Sequence, residues 1–210
     1  MPDIRSPLAA HYPVGRHGAV ASAGDPAVWL YEIVGWDLVQ AACWRGCTAA
    51  LETAIAEATG VTPPAPGHFR AADGVEVTAA APDRYWCLAP AGDRRIADLA
   101  AAIDDDTGCL TQLGHSHIRV RIEGAGARRL LAREIALDLD PGAFPASRAA
   151  RTMFHQVPVM LQCRQAQPGT FDLYLPHTYA AGTWAYLLDL ALTLGYEVSP
   201  AREHGAVTAP

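Results

Sequence analysis

The chain is expected to fold as an α+β protein made of a duplicated β-α-β-β-α unit, with mainly antiparallel sheets, helices on one face and a pseudo-twofold relation between the halves. Three observations predict this. Residues 117–123 alternate strictly, with Ile118, Val120 and Ile122 on one side and His117, Arg119 and Arg121 on the other, the period of a half-buried strand. Gly124-Ala125-Gly126 then turns the chain into a helix whose apolar stripe is Ala127, Leu130, Leu131 and Ile135, with Pro141-Gly142 as its stop. The same succession of blocks occurs twice: placing Gly46 on Gly126 sets Leu38, Ala42 and Leu51 opposite Ile118, Ile122 and Leu131.

The order of elements divides the chain into residues 1–27, an N-terminal arm; 28–104, a first half; 107–198, a second half; and 199–210, a tail. Prolines 2, 7, 13 and 26, with little periodicity between them, make the arm extended, in coil or lying along a partner. Its His11 and His17 read as solvated. Val28 to Cys43 is β-favouring, and Gly35 splits it into two short strands or bulges one. Residues 48–59 form a helix through Leu51, Ala54, Ile55 and Ala58, with Gly60 as its stop. Residues 75–78 and 85–88 make a hairpin about Pro82-Asp83, and Asp93 caps a helix that buries Ile96, Leu99 and Ile103. Asp104-Asp105-Asp106 lacks the alternating spacing of a calcium loop and reads as a solvated linker ending the first half.

The second half opens at residues 109–113 and passes through the alternating strand and its helix. A run at residues 152–163 follows, in which Pro158, lacking an N–H, belongs at an edge or bulge. Pro168-Gly169 turns into residues 171–175, and a helix at 183–194 closes the half. That helix carries two apolar stripes, Trp184, Leu187, Leu188, Ala191 and Leu192 on one side and Tyr186, Leu190 and Leu194 on another. It is therefore buried twice, between two layers of its own domain or between its domain and a partner.

Composition excludes several functions. At 210 residues, roughly 70% of the unfolded surface leaves water on folding, so no staple is required. The net charge of −6 and the absence of a Lys/Arg cluster argue against nucleic acid. No apolar run approaches the ~18 residues of a membrane span, and no signal peptide stands at the start. Five cysteines without a CxxC pair read as reduced thiols, which places the protein in the cytoplasm.

The same reading finds no assembled chemistry: no catalytic, cofactor-binding or metal-binding residue is assigned. His115-Ser116-His117 would put two imidazoles on one strand face but brings no third ligand. Cys43 and Cys47 straddle a strand-to-helix junction and read as buried thiols. The Gly124–Gly126 turn lacks the third glycine of a dinucleotide fingerprint and any P-loop Lys-Ser/Thr. His155 and His177 flank the last two strands without an identifiable nucleophile or orienting acid.

Leu130-Leu131-Ala132 followed by Ala136-Leu137-Asp138-Leu139-Asp140-Pro141-Gly142-Ala143-Phe144-Pro145 resembles the segment that marks the gamma subunit of heterotetrameric sarcosine oxidase. The resemblance continues through Val157-Pro158-Val159-Met160-Leu161, Phe171-Asp172-Leu173-Tyr174-Leu175-Pro176 and Trp184. It reaches back to Ser6-Pro7-Leu8 and Ala81-Pro82-Asp83-Arg84-Tyr85-Trp86, and departs at Gly35-Trp36 and at residues 114–117. It implies a non-catalytic accessory subunit with a fold related to the folate-binding aminomethyltransferases, packed on the alpha chain of a flavoenzyme that also holds beta and delta chains. That complex demethylates sarcosine to glycine, formaldehyde or methylene-tetrahydrofolate, and hydrogen peroxide. FAD, FMN, NAD, zinc and tetrahydrofolate are then expected in the partner chains and none in this one. The alternative is a stand-alone folate-dependent aminomethyltransferase-like enzyme, which would need two acids; Asp83 and Asp172 are the candidates.

Overall fold

The computed structural model describes residues 6–18 and 25–205. In chain order its elements are β1 (Gly15–His17), β2 (Val28–Val34), β3 (Trp36–Cys43), α1 (Thr48–Thr59), β4 (Phe69–Ala72), β5 (Val75–Ala81), β6 (Arg84–Pro90), α2 (Arg94–Ala102), β7 (Gly108–Gln112), β8 (His117–Glu123), α3 (Ala127–Leu131), β9 (Ala149–Phe154), β10 (Val157–Gln165), β11 (Thr170–Pro176), a 3-10 turn (His177–Tyr179), α4 (Ala180–Ala191), β12 (Tyr196–Val198) and β13 (Arg202–Glu203). The protein is α+β, with every strand pair antiparallel except β2 with β12 among the pairings described. Among the described residues no helix is long and apolar enough to cross a membrane.

The described residues form two compact units, one from those within 1–34 and 115–202 and the other from those within 35–114 and 203–210. They are not the sequential halves 28–104 and 107–198, and the ladders show why. β2 joins the first unit because it pairs with β8, Leu30 opposite Ile122. Gly35, at φ 72°, then turns the chain out of that sheet, a left-handed conformation that glycine adopts without the usual Cβ penalty. β7 pairs with β3 and so belongs to the second unit rather than opening the second half. Asp104-Asp105-Asp106 lies inside that unit: the Asp104 carboxylate accepts the Thr107 N–H at 2.8 Å and tightens the turn into β7.

In the first unit the strand order is β1-β12-β2-β8-β11-β10-β9, and in the second β4-β5-β6-β3-β7. The runs β9-β10-β11-β8 and β4-β5-β6-β3 repeat one order, and each lies on a strand-helix-three strands-helix succession. Each succession thus carries one strand more than β-α-β-β-α. The extra strand at β9 arises because the expected run at 152–163 is broken by a hairpin turn at His155-Gln156, with His155 at φ 54°. Pro158 sits on the inner strand β10 rather than at an edge. There β10 is paired on the β9 side alone, since its β11 ladder begins at Met160, so the missing N–H breaks no bond to β11.

Both helices of the first unit cover the same sheet face. Ile118, Val120 and Ile122 of β8, Val159 and Leu161 of β10, and Phe171, Leu173 and Leu175 of β11 share one core with Leu130 and Leu131 of α3 and Trp184, Leu187 and Leu188 of α4. In the second unit Leu51 and Ile55 of α1 and Ile96 and Leu99 of α2 pack on Val39, Val75, Val77 and Cys87. Each such aliphatic side chain, fully buried, contributes about 1.5–3 kcal/mol.

Three local expectations need revision. α3 ends at Leu131 instead of continuing to Pro141, because Ile135 leaves the helix to bridge Phe154 and buries itself there. α4 begins three residues earlier than 183. The described part of the arm, residues 6–18, is no free coil: Leu8 is fully buried in the first core and β1 pairs with β12. Tyr12 stacks on Trp184 at 5.4 Å, and the Trp184 indole donates to the His11 carbonyl at 2.9 Å. α4 is therefore covered within its own unit, sheet core on one side and arm on the other.

Candidate functional site

The densest group of charges in the first unit lies on the sheet face away from its helices. β8 sends Arg119 and Arg121 to that face because its other alternate residues fill the core. β11 sets Asp172 opposite Arg121, and β10 sets Gln162 opposite Asp172. Asp172 is 0% exposed. Arg119 donates to its Oδ2 through Nη2 at 2.5 Å and Nε at 3.0 Å. Arg121 grips both oxygens, at 2.7 and 2.9 Å, and Arg164 adds Nε at 2.5 Å. Gln162 Oε1 accepts from Arg164 Nη2 at 2.8 Å. Close by, the Arg202 guanidinium lies 3.8 Å over the Tyr31 ring, and the Tyr31 hydroxyl donates to Glu123 at 3.0 Å.

Burial alone would raise the Asp172 pKa, but the guanidiniums of Arg119, Arg164 and Arg121 outweigh it and hold the carboxyl well below the usual range. Burial likewise opposes the charge on Arg121, and Asp172 more than restores it, raising that guanidinium's pKa. Burial also pushes the Tyr31 phenol up, leaving it protonated near neutrality. A carboxylate so committed takes up no proton at neutral pH and is no general base. What the arrangement does is fasten β8, β10 and β11 in register through one shared acceptor.

The other residues singled out from sequence are dispersed. His115 is exposed in the turn before β8, so it does not share a strand face with His117. Burial first, then the nearby Arg151 charge, lowers His117 to about 4, so the imidazole is neutral at pH 7. His155 and His177 do not meet on a common nucleophile. The former lies 3.1 Å from Glu134, whose other oxygen accepts the Tyr186 hydroxyl at 2.6 Å; the latter donates its backbone N–H to the Ser116 carbonyl. In the arm, His17 Nε2 is 2.9 Å from the Pro13 carbonyl. Among the described residues no three His, Cys, Asp or Glu side chains come together as a metal site.

Cys43 and Cys47 are half-buried rather than buried, and all five cysteines are free thiols. The Gly124–Gly126 turn spends its amide internally: Gly126 N–H donates to Ala27 O at 2.8 Å, and a Cβ on Gly124 would stand 2.6 Å from that oxygen. Close backbone approach, not anion binding, requires the glycine. Of the two acids an aminomethyltransferase-like enzyme would use, Asp83 accepts from Thr48 at 2.6 Å and Asp172 is consumed by arginines.

The arginine cluster was missed from sequence, although a signal existed: Arg119, Arg121 and Arg164 stand on the polar phase of strands flanking an acid of opposite charge. The buried Glu32 beneath the arm left no such trace.

Comparison with known proteins bears on what this geometry serves. The model of the "Sarcosine oxidase, gamma subunit family" matches residues 45–193. The sarcosine oxidase subunit gamma of Corynebacterium sp. (strain U-96) is 30% identical over 161 residues, 76% of this chain and 77% of that protein. That of Arthrobacter sp is 31% identical over 91 residues, and this match spans 43% of this chain and only 45% of the relative. Among solved structures, the heterotetrameric sarcosine oxidase from Corynebacterium sp. U-96 in complex with pyrrole 2-carboxylate contains a chain similar to this one at TM-score 0.75 and 25% identity, covering 90% of this chain and 96% of that one. Aminomethyltransferase T of the Bartonella henselae glycine cleavage system shares the fold at TM-score 0.56 and 16% identity, over 84% of this chain and 48% of that one.

Proposed function

Because the chain belongs to the sarcosine oxidase gamma subunit family, we propose that it works as a non-catalytic structural subunit of a heterotetrameric sarcosine oxidase, packed on an alpha chain with beta and delta chains completing the particle. The particle's reaction in this reading is oxidative demethylation of sarcosine to glycine, formaldehyde or methylene-tetrahydrofolate, and hydrogen peroxide. FAD, FMN, NAD, zinc and tetrahydrofolate belong to the partner chains. The carrying observation is the likeness over 90% of this chain to a chain of a heterotetrameric sarcosine oxidase. The dense charge cluster of the first unit agrees with it, since Asp172 is locked by arginines and serves packing rather than proton transfer. Free thiols at all five cysteines suit a reducing cytoplasm.

The test is purification of the tagged chain from its native host, followed by size-exclusion chromatography read at the protein and flavin bands. The expected result is elution in a large flavin-coloured particle with three companion chains. Elution alone, colourless and near 22.3 kDa, overturns the proposal.

A further inference from the structure

Glu32 is an acid in an unusual position. It lies on β2 beneath the arm and is 5% exposed. Its carboxylate accepts from a single hydroxyl, Ser6 Oγ, which sits 2.8 and 2.7 Å from the two oxygens. Among the described residues no cation pairs with it. Everything else about the arm's seat is favourable: Leu8 is fully buried, and Tyr12 lies flat on Trp184. The Tyr12 hydroxyl accepts the Glu32 backbone N–H and donates to the Ser199 carbonyl, both at 2.8 Å. Residues 6–14 are thus held by apolar and neutral polar contacts over one carboxylate that loses its hydration when they close on it, while Arg16 further along the arm pairs with Glu197 at 3.0 Å.

We propose that residues 6–14 are a strap over the first unit, latched at Glu32, which docks more tightly when that carboxyl carries a proton. Burial raises the Glu32 pKa, and the Ser6 hydroxyl only partly offsets the shift. The sign follows from linkage. An acid whose docked pKa lies above its undocked one favours docking most at low pH, and that contribution is lost as pH rises through the docked value.

The titratable and charged groups on the neighbouring elements are His11 and Tyr12 of the strap and Arg202 and Glu203 of β13, which pairs with β2. Tyr12 is pushed up to about 12, chiefly by burial, with Arg202 pulling weakly the other way. β8 presents Val120 opposite Glu32, and α4 presents the uncharged Trp184. An open strap uncovers the seat of Leu8 and one face of the Trp184 indole. The inference concerns the chain itself and stands or falls separately from the assembly proposal.

Amide hydrogen exchange on the full-length chain tests it, with protection of residues 6–14 corrected for intrinsic rates and followed from about pH 4, below the ordinary glutamate value, to about pH 8. The wild-type strap is expected to lose protection as pH rises, while Glu32→Gln holds it constant. Ser6→Ala, which also strips the Leu8 N–H of its acceptor, should lower protection at every pH and most at the alkaline end, and Leu8→Ala should lower protection at every pH without changing its slope. Wild-type protection that is flat or rises with pH overturns the latch, as does a Glu32→Gln variant with the wild-type slope.

Discussion

Asp172 gathers three guanidiniums in the interior of the first unit, and its replacement is the sharpest single-residue test of how that unit is held. Removing one partner of a buried ion pair leaves the others desolvated without compensation, a cost of about 3–5 kcal/mol. Asp172→Asn keeps the shape and removes the charge, so urea denaturation should show a loss of that order with an unchanged slope. The pH dependence follows from the same residue. Its folded pKa lies below the ordinary carboxylate value, so the stabilisation is present above that value and disappears as pH falls through it towards the folded one. The variant should accordingly show a flatter acid limb than the wild type. Equal acid limbs would mean that Asp172 is not ionised in the native state. His117, at about 4, adds to the same acid loss: being neutral when folded, it costs stability once acid protonates it in the unfolded chain.

Single elements show what sequence signals can carry. β8 and α1 were readable to the residue, because strict alternation and a helical stripe ended by glycine are local patterns. Asp93 was readable as a cap, and its carboxylate does accept the Arg95 N–H at 2.9 Å. Asp93→Ala should therefore cost about 1 kcal/mol, with exchange protection lost first in the initial turn of α2; protection lost evenly along the helix would show that the cap is not the cause. α3 was overread because Ile135 satisfies a helical stripe as well as it satisfies the bridge to Phe154, and only the long-range partner decides. The β9–β10 hairpin was missed because its turn is His155-Gln156, with neither residue the glycine, proline or asparagine by which such turns are recognised. The arm's cover on α4 was not legible: Tyr12 stacks on Trp184 and Gly18 lies close to the Leu192 backbone, contacts some 170 residues apart in sequence.

At the scale of the whole molecule the order of elements was legible and the partition into units was not. β2 joins β8 across more than eighty intervening residues, a choice that alternation within either strand cannot encode, whereas the succession of strands and helices is written locally. Function divides in the same way: nothing local in the chain specifies a reaction, and a subunit's role lies in what it binds. Mass action makes that measurable. A ligand at a hundred times its Kd stabilises the folded state by about 2.7 kcal/mol, which in a chain of this length raises Tm by roughly 5–10 °C. Co-expressed alpha, beta and delta chains should therefore raise the chain's Tm by at least that amount. Sarcosine or tetrahydrofolate added to the chain alone should leave it where it was, because Asp83 and Asp172 are already engaged by Thr48 and by three arginines. A saturable rise with tetrahydrofolate alone would place a folate site in this chain and favour the aminomethyltransferase-like enzyme over the structural subunit.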